Sequence, residues 1–159
     1  MTNSLLVPVD GSGNSRRAVR FAAELAAKLG GSLLLLHVLD KLPARKELKH
    51  YLQILEVAPN RDEAEIESVL DALAKSGEER GLKILEEAAR LAKEAGAQRV
   101  DTALEDGDPA AEILRYVDGG KYDVVVMGRR GLGSLKGFLM GSLSHKISNV
   151  ADCTVVTVN

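Results

Sequence analysis

The sequence predicts a doubly wound α/β domain, a five-stranded parallel sheet in the order 3-2-1-4-5 with helices on both faces. Three observations predict it. Short apolar runs alternate with helix-patterned segments along the whole chain. Several of those runs are continuous rather than alternating, as strands covered on both faces are. The loops leaving the first and fourth runs are among the most glycine-rich in the chain. A length of 159 residues, 45% of them hydrophobic, suffices for one core, so residues 1–159 are expected to form a single domain.

Leu5 to Val9 is the first strand, ending in Asp10-Gly11-Ser12-Gly13. Ser15 to Leu29 follows as a helix, with Val19, Ala22, Ala23, Ala26 and Leu29 at helical spacing, Ser15 as N-cap and Gly30-Gly31 as the stop. Ser32 to Leu39 would suit a helix equally on its leucines. The glycines before it, and the need to return beside the first strand, decide for strand. Lys41 to Lys75 is charged and holds Pro43 and Pro59. It reads as two amphipathic helices inserted after strand two, one carrying Leu48, Leu52 and Leu55, the other Ile66, Val69, Leu70 and Leu73. Ser76 to Ala95 is a long helix with Leu82, Leu85, Ala89 and Ala92 on its stripe, closed by Gly96. Arg99 to Leu104 is the third strand, and Asp108 caps a further helix that has Pro109 at its first position. Val124 to Met127 is a strongly β-branched strand stopping at Gly128. Gly141 to Val150 is the last helix and Thr154 to Val158 the last strand.

Composition excludes several classes of function. With 21 Lys+Arg against 23 Asp+Glu the formal charge is −2, so nothing global draws the chain to nucleic acid or to an anionic membrane. Aromatic residues are 3% of the chain with no Trp, too few to build a base-stacking platform. The single cysteine, Cys153, excludes an intrachain disulfide and is expected to be a small buried residue. No apolar stretch approaches the roughly 20 residues that cross a bilayer. Met1 to Ser15 carries no Lys or Arg, and Pro8 breaks its apolar run, so a charged leader is not expected and the location is read as cytoplasmic.

Ligands of open α/β sheets bind beyond the carboxyl ends of the strands where the strand order reverses. In the order 3-2-1-4-5 that crevice lies between strands one and four, where Asp10 to Gly13 meets Gly128-Arg129-Arg130-Gly131. The second loop runs Gly128, two residues, Gly131, nine residues, Gly141, then Ser142, with Ser144 beyond. Glycines permit close approach of the backbone to an anion, and the free amides of a helix start supply donors at the positive end of the dipole. Arg129, Arg130 and Lys136 add positive charge, and the Ser142 and Ser144 hydroxyls can donate. Those are the ingredients of a phosphate cradle; glycine loops after strands are equally often plain turns.

Val7-Pro8-Val9-Asp10-Gly11-Ser12, Gly107-Asp108-Pro109 and the Gly128, Gly131, Gly141-Ser142 pattern together resemble the universal stress protein family, over essentially the whole chain, and its nucleotide-binding branch in particular. The resemblance implies a Rossmann-like, adenine nucleotide alpha hydrolase-like domain that binds ATP or AMP, with Mg²⁺ accompanying ATP, and works as a homodimer in stress adaptation. It implies that Pro8 and Asp10 line the adenosine part of the pocket with Val9 beside them, and that Val38 meets adenine through its backbone. Met127 and Gly128 would flank base and ribose. Gly131, Gly141, Ser142 and Ser144 would hold phosphates with Leu143 among them, Gly107 would pass near the ribose, and Arg130 would reach the phosphates or solvent.

An anion beside phosphates is unfavourable, so Asp10 is assigned to ribose or base donors, with loop capping as the alternative. Asp108 is explained by its cap alone. His37 and His145 lack ligand-type neighbours at metal spacing. No general base, nucleophile triad or phosphate-loop lysine is visible, since Gly131 to Lys136 lacks the required spacing, so binding with slow or no hydrolysis is expected. Two other functions remain open. A dinucleotide-dependent oxidoreductase would use Gly11-Ser12-Gly13 and Asp40, but Arg16 stands where the third glycine belongs. An interaction module would carry a vestigial site and recruit a partner through the inserted helices. The β-branched last strand, 154–158, is expected to pair with a second copy.

Overall fold

The computed structural model describes residues 4–39, 41–42, 45–54, 62–132 and 140–159. In chain order the elements are β1 (Ser4–Pro8), α1 (Gly13–Leu29), β2 (Ser32–Leu39), α2 (Arg45–Ile54), α3 (Glu63–Glu94), β3 (Val100–Asp106), α4 (Pro109–Asp118), β4 (Val124–Gly128), α5 (Ser142–Val150) and β5 (Thr154–Val158). The five strands form one parallel sheet in the order β3-β2-β1-β4-β5, as expected.

The central strands are buried on both sides, and their side chains divide by parity. Leu5, Val7, Val9, Leu33, Leu35 and Val126 face α1 and α3. Leu6, Leu34, Leu36, Val125 and Met127 face α4 and α5. A strand covered by helices on both faces must be apolar at every position, which is why the sequence shows unbroken runs.

Four local expectations are corrected. α1 begins two residues before the expected Ser15: Ser12 is its N-cap, its Oγ accepting the Ser15 N–H at 3.1 Å. Ser15 is instead 4% exposed, with its Oγ accepting from the Asp10 N–H at 3.2 Å. Both serines precede an apolar stripe, and the turn made by Asp10 decides between them. The second inserted helix and the long helix after it are one continuous α3, through Ser76-Gly77. A glycine inside a long helix costs only about 1 kcal/mol and does not end it. Leu82, placed on the buried stripe by spacing, is 52% exposed; Gly81, Leu85, Ala88, Leu91 and Ala92 are the residues that face the sheet. Gly81 takes that face because an added Cβ would come within 2.8–2.9 Å of Leu104, His37 and Leu39, so the sheet admits no side chain there. β3 also runs on to Asp106, paired with Leu39 of β2.

Candidate functional site

β1 pairs with β2 over its full length, yet its recorded pairing with β4 stops after Leu5↔Val124 and Leu6↔Val125. The cause is local. Val9 donates its N–H to Leu36 O at 2.8 Å, so odd-numbered amides of β1 point to β2 and even-numbered ones to β4. Pro8 stands at an even position and has no N–H. The next even amide, that of Asp10, turns to Ser15 Oγ. The ladder toward β4 therefore lacks donors where the strand ends, and a cleft opens at the reversal of strand order.

Two loops close on that cleft. Asp10 is half-buried, with Oδ1 accepting the Ser12 N–H at 2.9 Å and Oδ2 accepting the Leu132 N–H at 3.2 Å from the facing loop. Asn14 Nδ2 donates to Arg130 O at 3.2 Å. Three of the loop's glycines sit where protein atoms come close. A Cβ on Gly128 would lie 2.9–3.0 Å from the Asn14 Cβ and backbone and the Ser15 nitrogen; one on Gly131 would lie 2.5 Å from Asp10 Oδ2. One on Gly141 would lie 3.4–3.5 Å from Arg129 O, the Arg130 Cα and Ser144 Oγ. These glycines let α1 and the two loops pack backbone against backbone.

The Arg129 carbonyl ties the two ends of the long loop together, accepting the Gly141 N–H at 2.9 Å and the Ser144 hydroxyl at 2.8 Å. Ser144 is 2% exposed and its hydroxyl also reaches Gly141 O at 3.1 Å, so without a ligand its one proton serves the loop. What remains at the start of α5 are the backbone amides of Ser142, Leu143 and Ser144. Gly141 makes no side-chain cap, and the first turns of both α5 and α1 hold no acidic residue. The positive ends of two helices thus face one cleft, with Arg130 in its rim, while the Arg129 guanidinium is directed away to Asn159 Oδ1 at 3.1 Å.

The remaining expected residues are distributed around this frame. Pro8, Gly128 and Arg130 are half-buried at the strand ends, Gly131 and Ser142 are exposed, and Gly141 is half-buried between them. Val38 and Leu143 are half-buried and pack against the α4–α5 core. Met127 lies in that core, and the Val9 side chain lies in the opposite one. The Val9 carbonyl accepts from His37 Nδ1 at 2.6 Å, so His37 fixes the end of β1. Gly107 takes φ +145° after β3, beside Glu112, and Asp108 caps α4 by accepting the Ala111 N–H at 2.9 Å. Asp40 and Lys136 lie outside the described residues. Asn14 and Ser12 were not among the expected site residues. Their signal was there in Asp10-x-Ser12-x-Asn14, polar side chains at alternate positions just after a strand.

A hollow of about 10 Å³, lined by Val9, Gly11, Ser15 and Ile84, lies under α1 and α3 and has room for one water, not a ligand. Cys153 is half-buried rather than buried, and desolvation raises its thiol pKa, keeping it in the unreactive thiol form at neutral pH. Among the described residues no group of three or more His, Cys, Asp or Glu could hold a metal, and no helix is long and apolar enough to cross a membrane.

A family model described as the universal stress protein family matches residues 1–159. Universal stress protein YxiE of Bacillus subtilis is 33% identical over 159 residues, covering 99% of each chain. Among solved structures, UspA from Lactobacillus plantarum superposes with a TM-score of 0.79 at 20% identity, covering 100% of this chain and 99% of its own. A universal stress protein in complex with cAMP superposes with a TM-score of 0.65 at 25% identity, covering 99% of this chain and 96% of its own.

Proposed function

Since the chain belongs to the universal stress protein family over its whole length, we propose that it is a regulatory adenine-nucleotide-binding protein that takes ATP or AMP at the β1/β4 cleft. The observation that carries the proposal is the uncapped start of α5, whose amides face the same cleft as Asp10 and the arginine-bearing loop. Solved family members holding cAMP, dAMP and AMP, at 20–25% identity, support the ligand class.

In this proposal the phosphates lie on the amides of Ser142, Leu143 and Ser144, beside Gly131 and Gly141, with Arg130 at the rim. The nucleoside lies along Pro8, Asp10, Val38, Met127 and Gly128, near Gly107. Val9 acts from beneath by fixing the end of β1. A carboxylate has about four acceptor positions, and the two bonds to Ser12 and Leu132 leave Asp10 capacity for ribose or base donors. Mg²⁺ accompanies ATP, and hydrolysis is slow or absent because no group is assigned as base or nucleophile.

The whole chain acts as one domain, with residues 41–75 as a helical insertion, in the cytoplasm and as a homodimer. β5 is one of the two edge strands of the sheet, with Val155, Val156 and Val158 half-buried, and a second copy covering that edge would satisfy its unpaired backbone groups.

Calorimetric titration of purified protein with ATP, AMP and NADH tests the ligand class. An adenine nucleotide should saturate one site per chain. Gly131→Val should weaken it about tenfold, the loss of roughly one charge-assisted contact, by driving Asp10 out of place. NADH binding without an ATP response, or no response to any adenine nucleotide, overturns the proposal.

A further inference from the structure

Resting on that nucleotide reading, we propose that Asp10 is the specificity filter of the cleft, holding one loop donor and setting a fixed negative charge beside the phosphate site, a penalty offset only where an attached nucleoside brings donors for the carboxylate. Both loops around the cleft are otherwise suited to anions of any kind. Two helix N-termini face it, no acidic residue stands in either first turn, and Arg130, whose carbonyl accepts from Asn14, lies in the rim. A site so composed would fill with inorganic phosphate or pyrophosphate.

Asp10 is placed to prevent this. Its Oδ2 takes the Leu132 N–H at 3.2 Å, and the same oxygen lies where a Cβ on Gly131 would be 2.5 Å away, so the carboxylate rests against the loop backbone at the middle glycine. It is held there from behind, because Oδ1 accepts the Ser12 N–H at 2.9 Å and the Asp10 N–H is bound to Ser15 Oγ at 3.2 Å. The ionised group accepts hydrogen bonds and cannot donate, so to an incoming phosphate it offers only repulsion. A unit charge about 5 Å away in partly solvated surroundings lowers an anion's affinity by about tenfold. A nucleotide's phosphates meet the same repulsion, but its ribose hydroxyls and exocyclic amine offset it by donating to the lone pairs that Ser12 and Leu132 leave unused. Discrimination then comes from a repulsive element as much as from an attractive one.

The test compares Asp10→Asn, which keeps the shape and removes the charge, with Asp10→Ser, which keeps a short acceptor for the turn. Each is titrated with pyrophosphate, ATP and adenosine. Both variants should bind pyrophosphate about tenfold more tightly than wild type and adenosine more weakly, and the Leu132 amide of ligand-free Asp10→Ser should exchange with solvent faster. Wild type that binds ATP, together with variants that gain nothing for pyrophosphate, overturns the filter while leaving the nucleotide site standing. Unchanged Leu132 exchange in Asp10→Ser also overturns it. If neither wild type nor variant binds any of the three, the nucleotide reading falls with it.

Discussion

Gly128 shows how much a single position can determine. Its Cα lies against the first turn of α1, and a methyl group there would meet the Asn14 Cβ and backbone and the Ser15 nitrogen at 2.9–3.0 Å, of which the backbone cannot swing aside. Gly128→Ala should therefore cost about 1–3 kcal/mol of stability, read as a lower urea midpoint with an unchanged m-value. A second prediction concerns Glu105 on β3. The Tyr116 hydroxyl donates to it at 2.5 Å, and this bond, together with Arg115 at 3.1 Å, holds the carboxyl below its ordinary range despite some desolvation. A depressed folded pKa means stability that is present above the unfolded carboxylate range and is lost as pH falls through the folded value. The advantage of wild type over Tyr116→Phe should then be full at pH 6 to 7 and shrink below about pH 4 in acid-unfolding curves. Residue-scale legibility was uneven. Asp108-Pro109 announced its cap, because an Asp followed by Pro has one local solution. Ser15 was the expected cap of α1, and the shift to Ser12 follows from Asp10, whose bond to the distant Leu132 N no nearest-neighbour pattern contains.

Among the elements, α3 departs furthest from its sequence pattern. The helix is continuous but its buried stripe is not: nothing between Ile66 and Gly81 is buried, Leu73, expected on the stripe, is 41% exposed, and two glycines four residues apart have opposite reasons to be there. Gly77 has nothing within 4 Å of an added Cβ, whereas Gly81 faces Leu104, His37 and Leu39 at 2.8–2.9 Å. Gly77→Ala should stabilise by about 0.5–1 kcal/mol through helix propensity. Gly81→Ala gains the same propensity but must displace three half-buried side chains, His37 being further tied to Val9 O, and should be destabilising by about 1 kcal/mol. Thermal unfolding of the pair, side by side, reads the sign difference directly. The helix-patterned spacing made α3 visible, but not its length, because Ser76-Gly77 looks like a boundary whether or not the chain turns there. Nor did spacing reveal that a glycine, rather than Leu82, faces the sheet, since an apolar count assigns no face to a residue without a side chain.

For the molecule as a whole, strand order was legible because unbroken apolar runs require helices on both faces, and short right-handed crossovers leave few ways to lay out five parallel strands. The place of the cleft followed from that order. Its edges depend on Pro8, whose missing N–H removes a rung between β1 and β4, and on hydrogen bonds between residues more than a hundred positions apart. Assembly belongs to the same scale: if a second copy covers β5, light scattering at micromolar concentration should give twice the 17.0 kDa chain mass, and a monomer would count against pairing through Thr154–Val158. The central claim is that an adenine nucleotide lies between Asp10 and the start of α5. Backbone amide shifts recorded while ATP is added test it most directly. The account predicts the largest changes at Leu132 and at Ser142 to Ser144, with Asp10 and Val38 following; shifts confined to α2 and the first half of α3, with those amides still, would contradict it.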